Sequence, residues 1–128
     1  MFGDHQPGLS PKGDARTYTL DMALYEVPYL IWANYDIEEE ERDMSANYLS
    51  SYLLKVLNAN MTGFNKYLLQ LQEKIPVITA NGYIGDDGML YGWEEESAYT
   101  PLLEEYRILQ YNDLFDADHR AEEFFYLG

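Results

Sequence analysis

Phe2-Gly-Asp-His-Gln-Pro7 is the stretch best equipped for chemistry. Asp4 offers a hard carboxylate oxygen and His5 a neutral imidazole nitrogen, on adjacent residues. That mixed pair suits Mn²⁺, Zn²⁺ or a similar divalent ion. Two ligands do not complete a coordination shell, so the ion would need further groups. Turn chemistry explains the same residues: Gly3 and Pro7 punctuate the chain, and an aspartate between them readily accepts a backbone hydrogen bond. A second Asp-His pair, Asp118-His119, sits in a polar stretch and reads as surface. Lys12 and Arg16 lie in the basic part of a Pro- and Gly-rich loop over 7–24. They are candidates for an anion, with solvated surface cations as the plainer reading.

Composition narrows the alternatives. The chain has 128 residues, enough for one modest core, and its 47% apolar content is that of a folded protein. Twenty-three acidic residues against 8 basic ones leave a net charge of −15. A surface of that sign repels phosphate backbones and argues against nucleic acid as a partner. It argues equally against docking on anionic lipid through a polybasic patch. Cysteine is absent, which removes disulfide and thiolate chemistry. Neither a secretory leader nor an apolar run of ~20 residues is visible, so the chain itself is expected to be soluble. Thirteen tyrosines are unusual at this length. They bury a ring while keeping a hydroxyl for a partner.

Several elements must position these groups. Glu26 to Asp36 contains Pro28 and the unbroken apolar run Tyr29-Leu-Ile-Trp-Ala33. This predicts a strand buried on both faces, with Trp32 in the core and Asn34 or Asp36 at its ligand-facing end. Glu38-Glu-Glu-Glu-Arg-Asp43 lacks calcium-loop spacing and reads as a solvated connection. Ser45 can cap a helix to about Asn58, striped by Tyr48, Leu49, Tyr52, Leu53, Val56 and Leu57. Thr62 caps a second helix, carrying Phe64, Tyr67, Leu68, Leu71 and Ile75 and stopped by Pro76. Val77 to Ala80 is a brief strand candidate. Tyr83-Ile84 and Met89-Leu-Tyr91 form a hairpin around Gly85-Asp-Asp-Gly88, where turn propensity accounts for Asp86 and Asp87. Thr100-Pro101 opens a third helix that buries Leu102, Leu103, Tyr106 and Leu109. Glu94-Glu-Glu96 reads as another solvated run, and the aromatic tail Glu122 to Leu127 is expected to dock.

The ordered series Phe2-Gly-Asp-His-Gln-Pro7, Val27-Pro-Tyr-Leu-Ile-Trp-Ala-Asn-Tyr-Asp36, Asn47-Tyr-Leu-Ser-Ser51 and Tyr106-Arg-Ile-Leu-Gln-Tyr-Asn-Asp-Leu-Phe115 resembles the lipoteichoic acid synthase family. These are membrane-anchored phosphoglycerol transferases with an extracellular, sulfatase-like domain of the alkaline phosphatase superfamily. The resemblance implies the C-terminal portion of such a domain, of α/β class with α+β character. It would comprise one buried strand, three amphipathic helices and a small hairpin, with 1–25 as metal motif and loop and 26–128 as the remainder. It makes Asp4 and His5 two ligands of a divalent metal, usually Mn²⁺. The family's threonine nucleophile, its other ligands and its membrane helices have no counterpart in this sequence, so no catalytic residue is assigned. The implied substrate of the parent enzyme is a phosphatidylglycerol-type lipid or a related phosphate or sulfate ester, handled outside the cell membrane. The implied partner is the upstream part of the domain. Surfaces left bare without it would favour pairing between copies. The competing expectation is a free-standing, acidic, tyrosine-rich interaction module for a cationic protein.

Overall fold

A computed structural model describes residues 26–127. Asp4 and His5, with Lys12, Arg16 and the loop over 7–24, lie outside the described residues. Helices and a small antiparallel sheet give a mixed α/β class. Helix α1 spans Ala46–Val56 and helix α2 Gly63–Lys74. Strands β1 (Val77–Thr79), β2 (Gly82–Ile84) and β3 (Leu90–Tyr91) pair antiparallel in the order β1-β2-β3. Helix α3 runs from Thr100 to Phe115, and a single turn, α4, covers Glu122–Phe125.

Each helix of the first pair has a local reason to start and stop. Ser45 stands at the cap of α1, but its hydroxyl serves a neighbouring strand. Its Oγ accepts the Ile78 N–H at 2.9 Å, and its own N–H donates to the Pro76 carbonyl at 3.1 Å. The front of α1 is thereby tied to the start of the sheet. Asn58, at φ 50°, closes the other end. The Ala59 N–H reaches Leu54 O at 2.9 Å and the Asn58 N–H reaches Lys55 O at 3.0 Å, the paired bonds of a left-handed C-terminal cap. Thr62 begins α2 with a reciprocal capping box. Thr62 Oγ1 accepts the Asn65 N–H and Asn65 Oδ1 accepts the Thr62 N–H, both at 3.1 Å. Pro76 then prevents continuation.

The core sits where α1, α2, the sheet and α3 meet. Tyr48, Leu68, Leu71, Ile75, Tyr83 and Tyr106 form it, with Phe64, Tyr67, Ile78, Leu102 and Leu103 packed around them. The tyrosine stripes expected in the helices do face inward. At α3 the cap position belongs to Tyr99, while Thr100 Oγ1 accepts the Ser97 N–H at 2.9 Å. The aromatic tail docks, as its composition predicted: Phe124 and Phe125 lie 6.2 and 5.2 Å from the Phe64 ring, centre to centre.

The segment 26–36 departs from expectation. It forms no strand beyond a single bridge at Tyr29, and Trp32 is 78% exposed where a core residue was expected. An unbroken apolar run becomes an interior strand only when layers cover both of its faces. Among the described residues, no strand of the sheet flanks it. Tyr29 joins the segment to a polar network in the residues that follow it. Tyr29 donates to the Arg42 carbonyl at 2.5 Å, and Tyr52 donates to Glu40 at 2.7 Å. Arg42 bridges Glu40 at 2.7 Å and Glu73 at 3.0 Å. Burial first, then the Glu40 carboxylate, pushes the Tyr52 hydroxyl up to about 12. The Tyr52 hydrogen bond, followed by Arg42, in turn holds Glu40 below the ordinary carboxylate range.

Candidate functional site: a cleft between the sheet and α3

The β1-β2-β3 meander delivers Trp93 to the mouth of a cleft. Its register pairs Ile78 with Tyr83 and Tyr83 with Tyr91, so Tyr83 occupies the centre of the sheet. The Trp93 ring packs on Tyr83 at 5.4 Å between centroids, tilted by 48°. Its Nε1–H is shared between the carbonyls of Thr79 and Ala80, each at 3.1 Å. The indole is therefore fixed at one edge and one face, yet 47% of the residue stays exposed. Ser97 holds the following loop: its Oγ lies 2.6 Å from the Tyr83 hydroxyl and accepts the Tyr99 N–H at 3.1 Å.

Helix α3 forms the opposite wall. Tyr106 and Leu103 reach the floor, while Glu104, Arg107 and Gln110 stand along the rim. Asn47 comes up from the first turn of α1 and is held at both ends of its amide. Its Nδ2 donates to the Tyr106 hydroxyl at 3.2 Å, and its Oδ1 accepts from Ser45 Oγ at 2.5 Å. Arg107 pairs with Glu104 at 2.9 Å, and Glu95 adds a second carboxylate to the lining. The cleft is half open to solvent and has a volume of about 430 Å³. The arrangement has an aromatic platform, planar amides and a rim of net negative charge. Among the described residues that line it, no nucleophile–base pair is present.

The tip of the β2–β3 hairpin is a separate polar cluster. Asp87 accepts from the Tyr91 hydroxyl at 2.6 Å and from the Met89 N–H at 2.9 Å. Asp86 accepts from Tyr99 and lies 3.6 Å from Lys74. Both aspartates are thus occupied as turn residues. The Tyr91 hydrogen bond, then the Met89 amide, holds the Asp87 carboxyl below its ordinary value, and the Tyr91 hydroxyl rises to about 12. A depressed folded value means the contribution is present above the unfolded pKa and is lost as pH falls through the folded one. Tyr91→Phe is therefore expected to move the Asp87 titration midpoint upward toward an ordinary aspartate, read by carbon NMR of its carboxyl. An unchanged midpoint would show that this bond does not form in solution.

Other residues singled out from the sequence do not converge. Asn34 and Asp36 are exposed on an irregular stretch. His119 pairs with Asp116 at 3.0 Å and is 81% exposed, as a surface residue should be. Among the described residues, no group of three or more His, Cys, Asp and Glu is arranged to hold a metal, and no helix is long and apolar enough to cross a membrane. The cleft itself was not anticipated. Its one local signal is Trp93, placed between Gly92 and the Glu94 to Glu96 run, where no apolar periodicity explains a large ring. Protein-family models, curated proteins and solved structures yield no significant match to the chain.

Proposed function

We propose that this chain is the C-terminal portion of a sulfatase-like phosphoglycerol transferase, to which it contributes Asp4 and His5 as ligands of a divalent metal, Mn²⁺. The ordered motif series from Phe2 to Phe115 carries this reading. In it, the parent enzyme works at the outer face of the cell membrane on a phosphatidylglycerol-type lipid or a related ester. Bound metal there would polarise the phosphoryl oxygen and offset charge in an in-line displacement. Asp4 and His5 would hold the ion, and the nucleophile would come from the upstream part of the domain.

Two exposed apolar surfaces support the need for such a neighbour. Trp32 and Tyr35 are 78 and 56% exposed along one segment. On α3, Ile108, Tyr111 and Phe115 stand on the side away from Tyr106, each more than half exposed. A helix apolar on opposite sides is ordinarily sandwiched between two layers. The second reading, an acidic interaction module for a cationic protein, draws on these same surfaces and on the −15 charge.

The chain has 2 histidines, His5 and His119, which makes the test direct. Mn²⁺ is expected to broaden the His5 ring signals selectively, with a dissociation constant on the order of 1 mM. Asp4→Ala should abolish the effect, and no phosphodiester turnover should accompany binding. Equal broadening of both histidines, or turnover by the chain alone at roughly 1 s⁻¹ or faster, would refute the proposal. Upstream DNA separates the two readings. A frame continuing into a threonine motif and membrane helices supports the enzyme, and a ribosome site directly before Met1 supports the module.

A further inference from the structure

We infer that the cleft between Trp93 and α3 is a binding site for a neutral saccharide. Four observations lead there, none of them dependent on the metal reading. The Trp93 indole is held against Tyr83 and by the Thr79 and Ala80 carbonyls, yet is nearly half exposed. It therefore presents a flat apolar face at little further entropic cost, and the C–H face of a sugar ring stacks on such a surface. Thr100 and Gln110 line the same cleft and mix donors and acceptors, and Asn47 keeps one amide N–H beyond its bond to Tyr106. Vicinal hydroxyls, each able to give and accept a hydrogen bond, match that mixture. Asn47 is already oriented by Ser45 and Tyr106, so the cleft floor is preorganised.

Charge then selects among polyhydroxyl ligands. Glu95 and Glu104 face a single guanidinium, Arg107, in a chain of net charge −15. Arg107 is already engaged by Glu104. A phosphorylated or otherwise anionic ligand would meet repulsion here, and an uncharged sugar would not. The volume of about 430 Å³ accommodates a ligand of roughly one to two hexose rings.

The chain has 2 tryptophans, so Trp32→Phe leaves Trp93 as the sole indole reporter. In that background the probes are glucose, galactose, N-acetylglucosamine, maltose and cellobiose, with glycerol 3-phosphate as the anionic comparison. A saturable change in Trp93 emission with at least one neutral sugar is expected, at a dissociation constant on the order of 1 mM. Saturation-transfer NMR should show that sugar's ring protons in contact with the protein. Trp93→Ala removes that reporter, so its binding is read by saturation-transfer titration, and it is expected to weaken binding about tenfold or more, the loss of one stacking contact. Because Trp93 also packs on Tyr83, Gln110→Ala is the second variant: it lies on the exposed rim, should leave the fold intact, and should weaken binding several-fold. The inference fails if no neutral sugar up to roughly 50 mM gives a saturable response. It also fails if both variants bind as the parent does, or if glycerol 3-phosphate binds more tightly than every sugar.

Discussion

Tyr48→Ala is expected to cost the domain about 3–5 kcal/mol, against about 1–2 kcal/mol for Tyr48→Phe. Tyr48 is 0% exposed and belongs to the cluster of Leu68, Leu71, Ile75, Tyr83 and Tyr106, where α1, α2, the sheet and α3 converge. Deleting its ring leaves a cavity that those neighbours, drawn from different elements, can only partly close. Its hydroxyl makes a separate contribution. It donates to the Ile75 carbonyl at 2.7 Å, at the residue where α2 ends before Pro76. Burial pushes this hydroxyl well above the usual tyrosine range, so it remains a protonated donor throughout neutral pH. Phenylalanine keeps the packing and leaves the Ile75 carbonyl without that donor. A small domain is stable by only ~5–15 kcal/mol, so the alanine variant should lose a large fraction of its stability. Urea denaturation followed by far-UV circular dichroism gives both numbers. If the two variants cost the same, the hydroxyl rather than the ring would be the important group. If alanine costs under about 1 kcal/mol, Tyr48 is not in the core.

The helices were legible because their signals are local. Thr62 and Asn65 specify the start of α2 within one turn, and Pro76 specifies its stop. Tyr48, Tyr52 and Tyr67 fall on helical spacing and pack inward. The hairpin around Asp86 and Asp87 was legible for the same reason, since Asp-Gly supplies its turn. The segment 26–36 was not. Its apolar run fixes how much surface wants cover, but the cover comes from elsewhere, and 26–36 alone carries no record of whether it is present. The cleft was illegible for a related reason. Asn47, Trp93 and Gln110 are far apart in sequence and share no spacing. They meet only because the sheet register places Trp93 over Tyr83 while the front of α1 is bonded to β1 through Ser45. The α3 helix gave a mixed result. Its buried face was read correctly at Tyr106, but Ile108, Tyr111 and Phe115 give it a second apolar side that a one-stripe reading cannot accommodate.

The turn between β1 and β2 links stability to the cleft, and two glycines allow that link to be measured. Gly82 adopts φ 156°, and a Cβ placed there would lie 2.5 Å from the Tyr91 carbonyl oxygen. That oxygen belongs to the backbone of β3, so relief requires moving a strand rather than rotating a side chain. Gly88 adopts φ 75° at the other turn, but a Cβ there meets nothing within 4 Å. Gly88→Ala should therefore cost only the left-handed backbone penalty, about 1 kcal/mol. Gly82→Ala should cost about 3 kcal/mol or more, because the clash adds to backbone strain. Its consequences should also reach the Trp93 platform. Thr79 Oγ1 donates to the Gly82 carbonyl at 3.0 Å, and the carbonyls of Thr79 and Ala80 hold the Trp93 indole. Displacing β3 shifts those acceptors relative to the ring and frees the indole to reorient. In the Trp32→Phe background, Gly82→Ala is expected to shift Trp93 emission to longer wavelength under conditions where the protein remains folded, and Gly88→Ala to leave it unchanged. Equal costs for the two substitutions would remove the Tyr91 clash from consideration. A destabilised Gly82→Ala protein with unaltered Trp93 emission would show that the platform is held independently of the turn.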